Sequence, residues 1–310
     1  KMYRHTYEII NQDDVIHTLT HRVKSVSPQF FVQEQMKVDF DYTSQHLYYY
    51  SHERELTLAY QNIIVYEREF CYPEHQQRLA LEAFREGALV NAKLQPYVLN
   101  GANVKREVAQ LPMLQWKNKG LLNNETQKAA VEAALAERNL FLVQGPPGTG
   151  KTTVIRELIH QHLALTPNMR ILIVSQANVA IDNVLKGLDA ELTAEMIRCG
   201  KIDKIDEGLQ HISFDEKYAA YTATLQQNRV PLHLQAFSQC WRDLVLNDNQ
   251  QQTPIVGEIF VRNHKIVGAT CLGLMQRKIG LHRVEFDLVI IDEAGKALPA
   301  ELLIPINRAK

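Results

Sequence analysis

The chain has 310 residues, a formal net charge of −1, 45% hydrophobic and 22% charged residues, the make-up of an ordinary soluble globular protein with room for about two domains. The near-neutral charge gives no global field for a polyanion, so any nucleic-acid contact needs a local basic groove. Cys71, Cys199, Cys240 and Cys271 lie far apart with no C-x-x-C pair, which argues against a zinc site or disulfide framework and fits a reducing, cytoplasmic compartment; no apolar run nears the roughly 20 residues of a membrane span, and the N-terminus is too polar for a signal peptide.

The chain opens Lys1-Met2 rather than on an initiator methionine, as expected of an excised or tagged piece. Residues 1 to about 70 read as β-rich: Phe30-Phe31-Val32, Val38-Asp39-Phe40, Leu47-Tyr48-Tyr49-Tyr50 and Ile63-Ile64-Val65-Tyr66 are short β-branched or aromatic runs with polar connections, the spacing of a small barrel or antiparallel sheet. Tyr48, Tyr49 and Tyr50 either pack and face solvent alternately or offer stacking faces to single-stranded bases. Residues 74 to 94 predict a helix, with Pro73 in its first turn. Residues 95 to 118 read as a solvated connection carrying Lys105, Arg106 and Lys117, with Lys119 just beyond.

At Leu121 the character changes. Asn124 followed by Gln127 is a capping-box pattern for a helix start, and equally Gln127 is an amide suited to an adenine edge, which offers one donor and one acceptor. Leu140-Phe141-Leu142-Val143 predicts a strand, followed by Gly145-Pro146-Pro147-Gly148-Thr149-Gly150-Lys151-Thr152-Thr153 and a helix-like segment. This is the full phosphate-loop pattern in its strand–loop–helix context. The glycines let backbone N–H groups turn toward phosphate oxygens, the new helix contributes its positive end, Lys151 reaches the β- and γ-phosphates, and Thr152 can ligate Mg²⁺. The chain is therefore expected to bind a nucleoside triphosphate.

Arg170-Ile171-Leu172-Ile173-Val174 reads as a buried parallel strand leading into Ser175-Gln176-Ala177-Asn178. These are small and amide residues at a strand's C-terminal end, where open α/β sheets place ligands, and also good turn and cap residues. Residues 187 to 254 predict a mostly helical interval, including Glu216 to Gln227 and Leu232 to Leu246, with an exposed loop at Asn247 to Thr253. A strand at Lys265 to Ala269 ends in Thr270-Cys271. Another, Phe286 to Ile291, delivers Asp292 and Glu293 at its C-terminal end. With Lys151 and Thr152 upstream, Asp292 is the expected Mg²⁺ partner and Glu293 the base that orients attacking water.

Three classes compete. No N/T-K-x-D guanine-reading motif follows the phosphate loop, which counts against a GTPase. Ring ATPases of the AAA+ type share GPPGTGKT and an Asp-Glu pair, but separate them by little more than one βαβ unit, whereas here a long helical interval intervenes. The motif set Asn124-Glu125-Thr126-Gln127, GPPGTGKTT, Ser175 to Asn183, Gly268-Ala269-Thr270-Cys271 and Asp292-Glu293-Ala294, in this order over about residues 119 to 310, resembles superfamily 1 helicases, nearest the RNA-surveillance and senataxin-like branch.

That resemblance implies an α/β fold: a P-loop NTPase RecA-like parallel sheet with helices on both faces (119–310), an inserted helical subdomain at about 187–254, and a β-rich accessory region at 1–118. It implies ATP and Mg²⁺ as cofactors, held by Asn124, Gln127 and residues Gly145 to Thr153, with Lys151, Asp292 and Glu293 catalytic. It implies single-stranded DNA or RNA as partner, touched by Ser175, Gln176, Ala177, Asn178 and Thr270. Gly295 and Lys296 depart from the family's usual Ser-Gln. The chain also stops shortly after Asp292, before a second RecA-like domain that would supply γ-phosphate arginines. A monomer with weak nucleotide binding and poor hydrolysis is the expectation; the rival from another class is a non-catalytic nucleotide-sensing or binding module.

Overall fold

Short aromatic and β-branched runs build the first sheet. The computed structural model describes residues 3–8, 30–32, 36–41, 46–51, 65–101, 104–105, 107–227, 238–245, 254–276 and 279–310. Five strands, β1 (Tyr3–Glu8), β2 (Phe30–Val32), β3 (Met36–Asp41), β4 (His46–Ser51) and β5 (Val65–Glu67), pair antiparallel in the order β1-β4-β3-β2-β5. The antiparallel sheet is as expected, and Tyr48–Tyr50 lie in β4, where Tyr48 and Tyr49 pair with both β1 and β3 and Tyr50 with β1. Residues 63 and 64 of the fourth run fall outside the described residues. The strand β1 was not legible, because YRHTYE carries no aliphatic residue to mark a buried face. Helix α1 (Arg68–Arg85) starts earlier than expected, so Pro73 sits inside it rather than in its first turn.

The chain divides into Lys1–Arg78 and Leu79–Lys310. In the second unit β6 (Ile171–Ser175), β7 (Met196–Arg198), β8 (Ile266–Thr270) and β9 (Leu288–Ile291) form a sheet in the order β7-β8-β6-β9. All its pairings are parallel. The side chains alternate across it with the period of two that a strand imposes. Ile171, Ile173 and Ile266 pack on one face with Ile159, Ile181 and Leu185, while Leu172, Val174, Val267 and Ala269 pack on the other with Phe260, Phe286 and Ile304. Helices α4 (Lys151–Leu165) and α5 (Asn178–Lys186) cover the first face; α7 (Pro254–Arg262) and α8 (Pro299–Ile306) cover the second. With both faces closed, the strand ILIVS is buried at every position, which is why it reads as an unbroken apolar run.

Three expectations need correction. Leu140–Val143 is not a strand of this sheet: Leu142 is 82% exposed, and Phe141 and Val143 are also exposed. An apolar run reads alike with or without a neighbour to take its backbone hydrogen bonds, and among the described residues none pairs with it. The interval 187–254 is also less helical than predicted. It holds β7 and short 3₁₀ turns at Ala190–Glu195, Ile202–Lys204 and Glu207–Ile212, and Ile197, Ile205, Leu209 and Ile212 are core residues. Among the described residues, only α6 (Phe214–Gln227) and residues 238–245 are helical as foreseen; 228–237 and 246–253, with the ends of the predicted Leu232–Leu246 helix, lie outside the described residues.

Nor is the segment before Leu121 a solvated connection. It includes helix α2 (Leu94–Asn100), and Leu111, Leu114 and Trp116 pack beside Leu121, Val131 of helix α3 (Glu125–Ala136) and Leu158 of α4. Ala80 and Phe84, at the end of α1, join the sheet's core, and Asn307 donates to the Ala80 carbonyl at 2.8 Å. Lys117 is ion-paired with Asp189.

Glu157 is the anchor of this stretch. It is 1% exposed, and its two carboxylate oxygens accept from the backbone N–H of Lys117 (3.0 Å) and Asn118 (2.8 Å), with Gln161 donating at 2.7 Å. Glu157→Ala is expected to strand those donors and cost about 2–4 kcal/mol, read as a lowered midpoint in urea denaturation; a midpoint equal to wild type would remove the anchor.

Candidate functional site

The phosphate loop connects α3 to α4. Its backbone takes left-handed geometry at Gly148 and Gly150, both at φ 80°, which side chains bearing a Cβ rarely adopt. Helix α4 begins at Lys151 directly after Gly150, and no side chain caps it, so its first N–H groups and positive dipole end open onto the loop. The Lys151 ammonium donates to the carbonyls of Gly145 (2.7 Å) and Pro146 (2.9 Å), and the Thr149 hydroxyl to that of Pro146 (2.8 Å). Thr152 and Thr153 follow, half-buried, in the first turn of α4.

Asn124 and Gln127 make half of a capping box. The Asn124 side chain accepts from the Gln127 N–H at 3.1 Å. The Gln127 amide does not reach back to Asn124; it donates to the Thr149 carbonyl at 2.7 Å. It lies so close to Gly150 that a Cβ there would be 2.4 Å from its nitrogen. The start of α3 and the phosphate loop are thus fastened by the very side chain that the sequence left open between two roles.

At the end of β9 the Asp292 N–H donates to the Val174 carbonyl (2.8 Å), and its carboxylate accepts from the Glu293 N–H (2.9 Å). Burial raises the Asp292 carboxyl above its ordinary value, with the Glu293 charge adding to this; the Glu293 N–H and the charges of Lys151 and Lys296 oppose it. A half-buried carboxylate whose hydrogen-bond partner, among the described residues, is its neighbour's N–H has acceptor capacity that suits a divalent cation and its waters. Thr152 and Asp292 would hold that ion.

Glu293 has φ 56°, and among the described residues it is the single non-glycine in left-handed geometry, the kind of backbone strain that concentrates at functional sites. Its carboxylate pairs with Lys296 at 3.0 Å. The residue that departs from the family pattern is therefore the partner of the candidate base. Spacing alone carried that signal, since residues three apart meet across one helical turn.

The turn after β6 and the end of β8 come together, with Ser175 opposite Thr270 in register. Ser175 is enclosed, 0% exposed, and its hydroxyl accepts from the Ala177 N–H at 3.3 Å. Gln176 and Ala177 are exposed, and Asn178 and Thr270 half-buried. Gln176 donates to Glu301 on α8 at 3.3 Å; burial raises the Glu301 carboxyl. Thr270 accepts from the Gly273 N–H at 3.0 Å.

Sequence reasoning missed Arg198 and Asp182 behind this turn. It also left Gly268 without a reason: a Cβ there would meet Ile181 and Leu185 of α5 at 2.9 Å, so this glycine lets the helix pack close over the strand. Cys199 and Cys271 are buried thiols, each pushed up to about 12 chiefly by burial, and so unreactive.

Comparison with known proteins bears on the family. A family model described as an AAA domain matches residues 123–231 and 216–310. The chain is 27% identical over 277 residues to an uncharacterized ATP-dependent helicase of Methanocaldococcus jannaschii, covering 74% of this chain and 41% of the relative. It is 35% identical over 118 residues to DNA-binding protein SMUBP-2 of Mus musculus, covering 38% of this chain and 11% of the relative. It is 27% identical over 193 residues to the ATP-dependent helicase upf1 of Schizosaccharomyces pombe, covering 59% and 20%. The chain spans less than half the length of each of these relatives.

Proposed function

The chain belongs to the AAA domain family, in its superfamily 1 helicase branch, and on that footing we propose that it binds Mg-ATP and forms the nucleotide-binding half of a motor on single-stranded nucleic acid. Lys151 and the N–H groups of the loop take the phosphates, Thr152 and Asp292 the Mg²⁺, and Glu293 orients the attacking water. A magnesium ion held there would supply neutralisation of phosphate charge. Gln127 reads adenine with the face of its amide not committed to Thr149. Gln176, Ala177, Asn178 and Thr270 meet the sugar-phosphate backbone of DNA or RNA, and in the intact protein hydrolysis drives movement along it. The chain works as a monomer.

The observation that supports this reading is the loop itself, left-handed at Gly148 and Gly150 with the uncapped helix α4 beginning at Lys151, together with the acidic pair delivered at the end of β9; one Mg²⁺ needs both ends of the site. Calorimetry with ATP and with GTP in the presence of Mg²⁺, on wild type and Gln127→Ala, tests it. Wild type is expected to prefer ATP. The variant should lose that preference, by about tenfold for one amide pairing. Equal binding of the two nucleotides by wild type would take Gln127 out of base recognition while leaving the loop in place; binding of neither would end the reading.

A further inference from the structure

Arg198 closes β7 and is fully enclosed, 0% exposed, in the α/β unit. All three of its nitrogens are used. Nε donates to Asp182 at 2.7 Å, one terminal nitrogen to the Cys199 carbonyl at 2.7 Å, and the other to the side-chain oxygen of Asn178 at 2.7 Å. Asp182 is itself 4% exposed, and its second oxygen accepts the Asp206 N–H at 3.0 Å. Asn178 and Asp182 stand one turn apart on α5, so the guanidinium fork grips the first turn of that helix from below.

This grip fixes the Asn178 amide. Its oxygen must face the guanidinium, because the reversed amide would set N–H against N–H. Its nitrogen is thereby left as the group available to an acceptor arriving from outside, at the opening of the turn already assigned to strand contact. A phosphate oxygen of a nucleic-acid backbone is such an acceptor.

We propose that Arg198 is a positioning residue for strand binding, holding Asn178 so that its amide N–H₂ serves backbone phosphate. The proposal rests on the strand-binding reading above. Arg198 touches no strand itself, and Asp182 balances its charge where an unpaired buried cation would be costly.

The test measures binding of fluorescein-labelled oligo-dT and oligo-U by anisotropy, and of Mg-ATP by calorimetry, on the whole chain. Arg198→Lys keeps a cation beside Asp182 but replaces the planar fork with a single ammonium. Strand affinity is expected to fall about tenfold, as for one lost charge-assisted hydrogen bond, while Mg-ATP affinity stays near wild type and the melting temperature falls only by what the lost buried bonds contribute, with the chain still folded at the assay temperature. Arg198→Met combined with Asp182→Asn removes the buried pair together, keeps an acceptor for Asp206, and should give the same loss. Asn178→Ala should match it too, and adding it to Arg198→Lys should cost nothing more, because both act through one contact.

Equal loss on both strands assigns the shared phosphate; a loss on one alone would overturn phosphate as the acceptor. Strand affinity within about twofold of wild type in Arg198→Lys would overturn the proposal, as would additive losses with Asn178→Ala. If the paired variant does not fold, Arg198→Lys decides by itself. No strand binding by wild type, with Mg-ATP bound, would remove the strand reading and this proposal with it, a failure distinct from variants that bind as well as wild type.

Discussion

Glu293→Gln is expected to lower ATP turnover by about two to four orders of magnitude, the usual share of a positioned general base, with Mg-ATP affinity unchanged within about threefold. The amide is nearly isosteric, so the left-handed backbone at 293 and the bond from its N–H to Asp292 persist. What is lost is an acceptor for the water's proton. The ion pair with Lys296 is lost as well, but that lysine is 69% exposed and the pair adds little to stability. Single-turnover phosphate release, measured beside calorimetric affinity, separates the two effects. Retained binding with undiminished turnover would remove Glu293 as the base; lost binding would mean that the residue shapes the nucleotide site.

Lys151→Ala acts one step earlier. The ammonium, held by the carbonyls of Gly145 and Pro146, is the cation that the phosphate loop itself offers to the β- and γ-phosphates. Its loss should weaken Mg-ATP binding by about one to two orders of magnitude, the range of a charge-assisted hydrogen bond. The fold should persist, because α4 is pinned by Val154, Leu158 and Ile159 in the core, and an unchanged circular dichroism spectrum would show it. The same variant separates a motor from a passive binding module. In a motor, the response of strand affinity to ATP should disappear with Lys151. Strand affinity that responds to ATP equally in wild type and variant would mean that Lys151 is not part of the coupling.

The sequence by itself determined the family and the phosphate loop. GPPGTGKTT, the apolar strands and the Asp292-Glu293 pair were legible because they are local: a glycine loop needs its own residues, and a strand buried on both faces is apolar at every position. The capping role of Asn124 was legible for the same reason. Only the tertiary structure decided what depends on partners far along the chain. Gln127 spends its amide on Thr149, 22 residues away, and no propensity distinguishes that from the reciprocal cap. Glu157, in a helix, anchors a loop 39 and 40 residues earlier. Arg198 and Gly268 owe their identities to α5 packing over them, and β7 hid within a stretch too short and mixed to announce a strand. Leu140–Val143 shows the same limit from the other side: an apolar run states that burial is available, while whether it pairs is settled by what lies beside it, because backbone hydrogen bonds need a neighbour and a sequence names none.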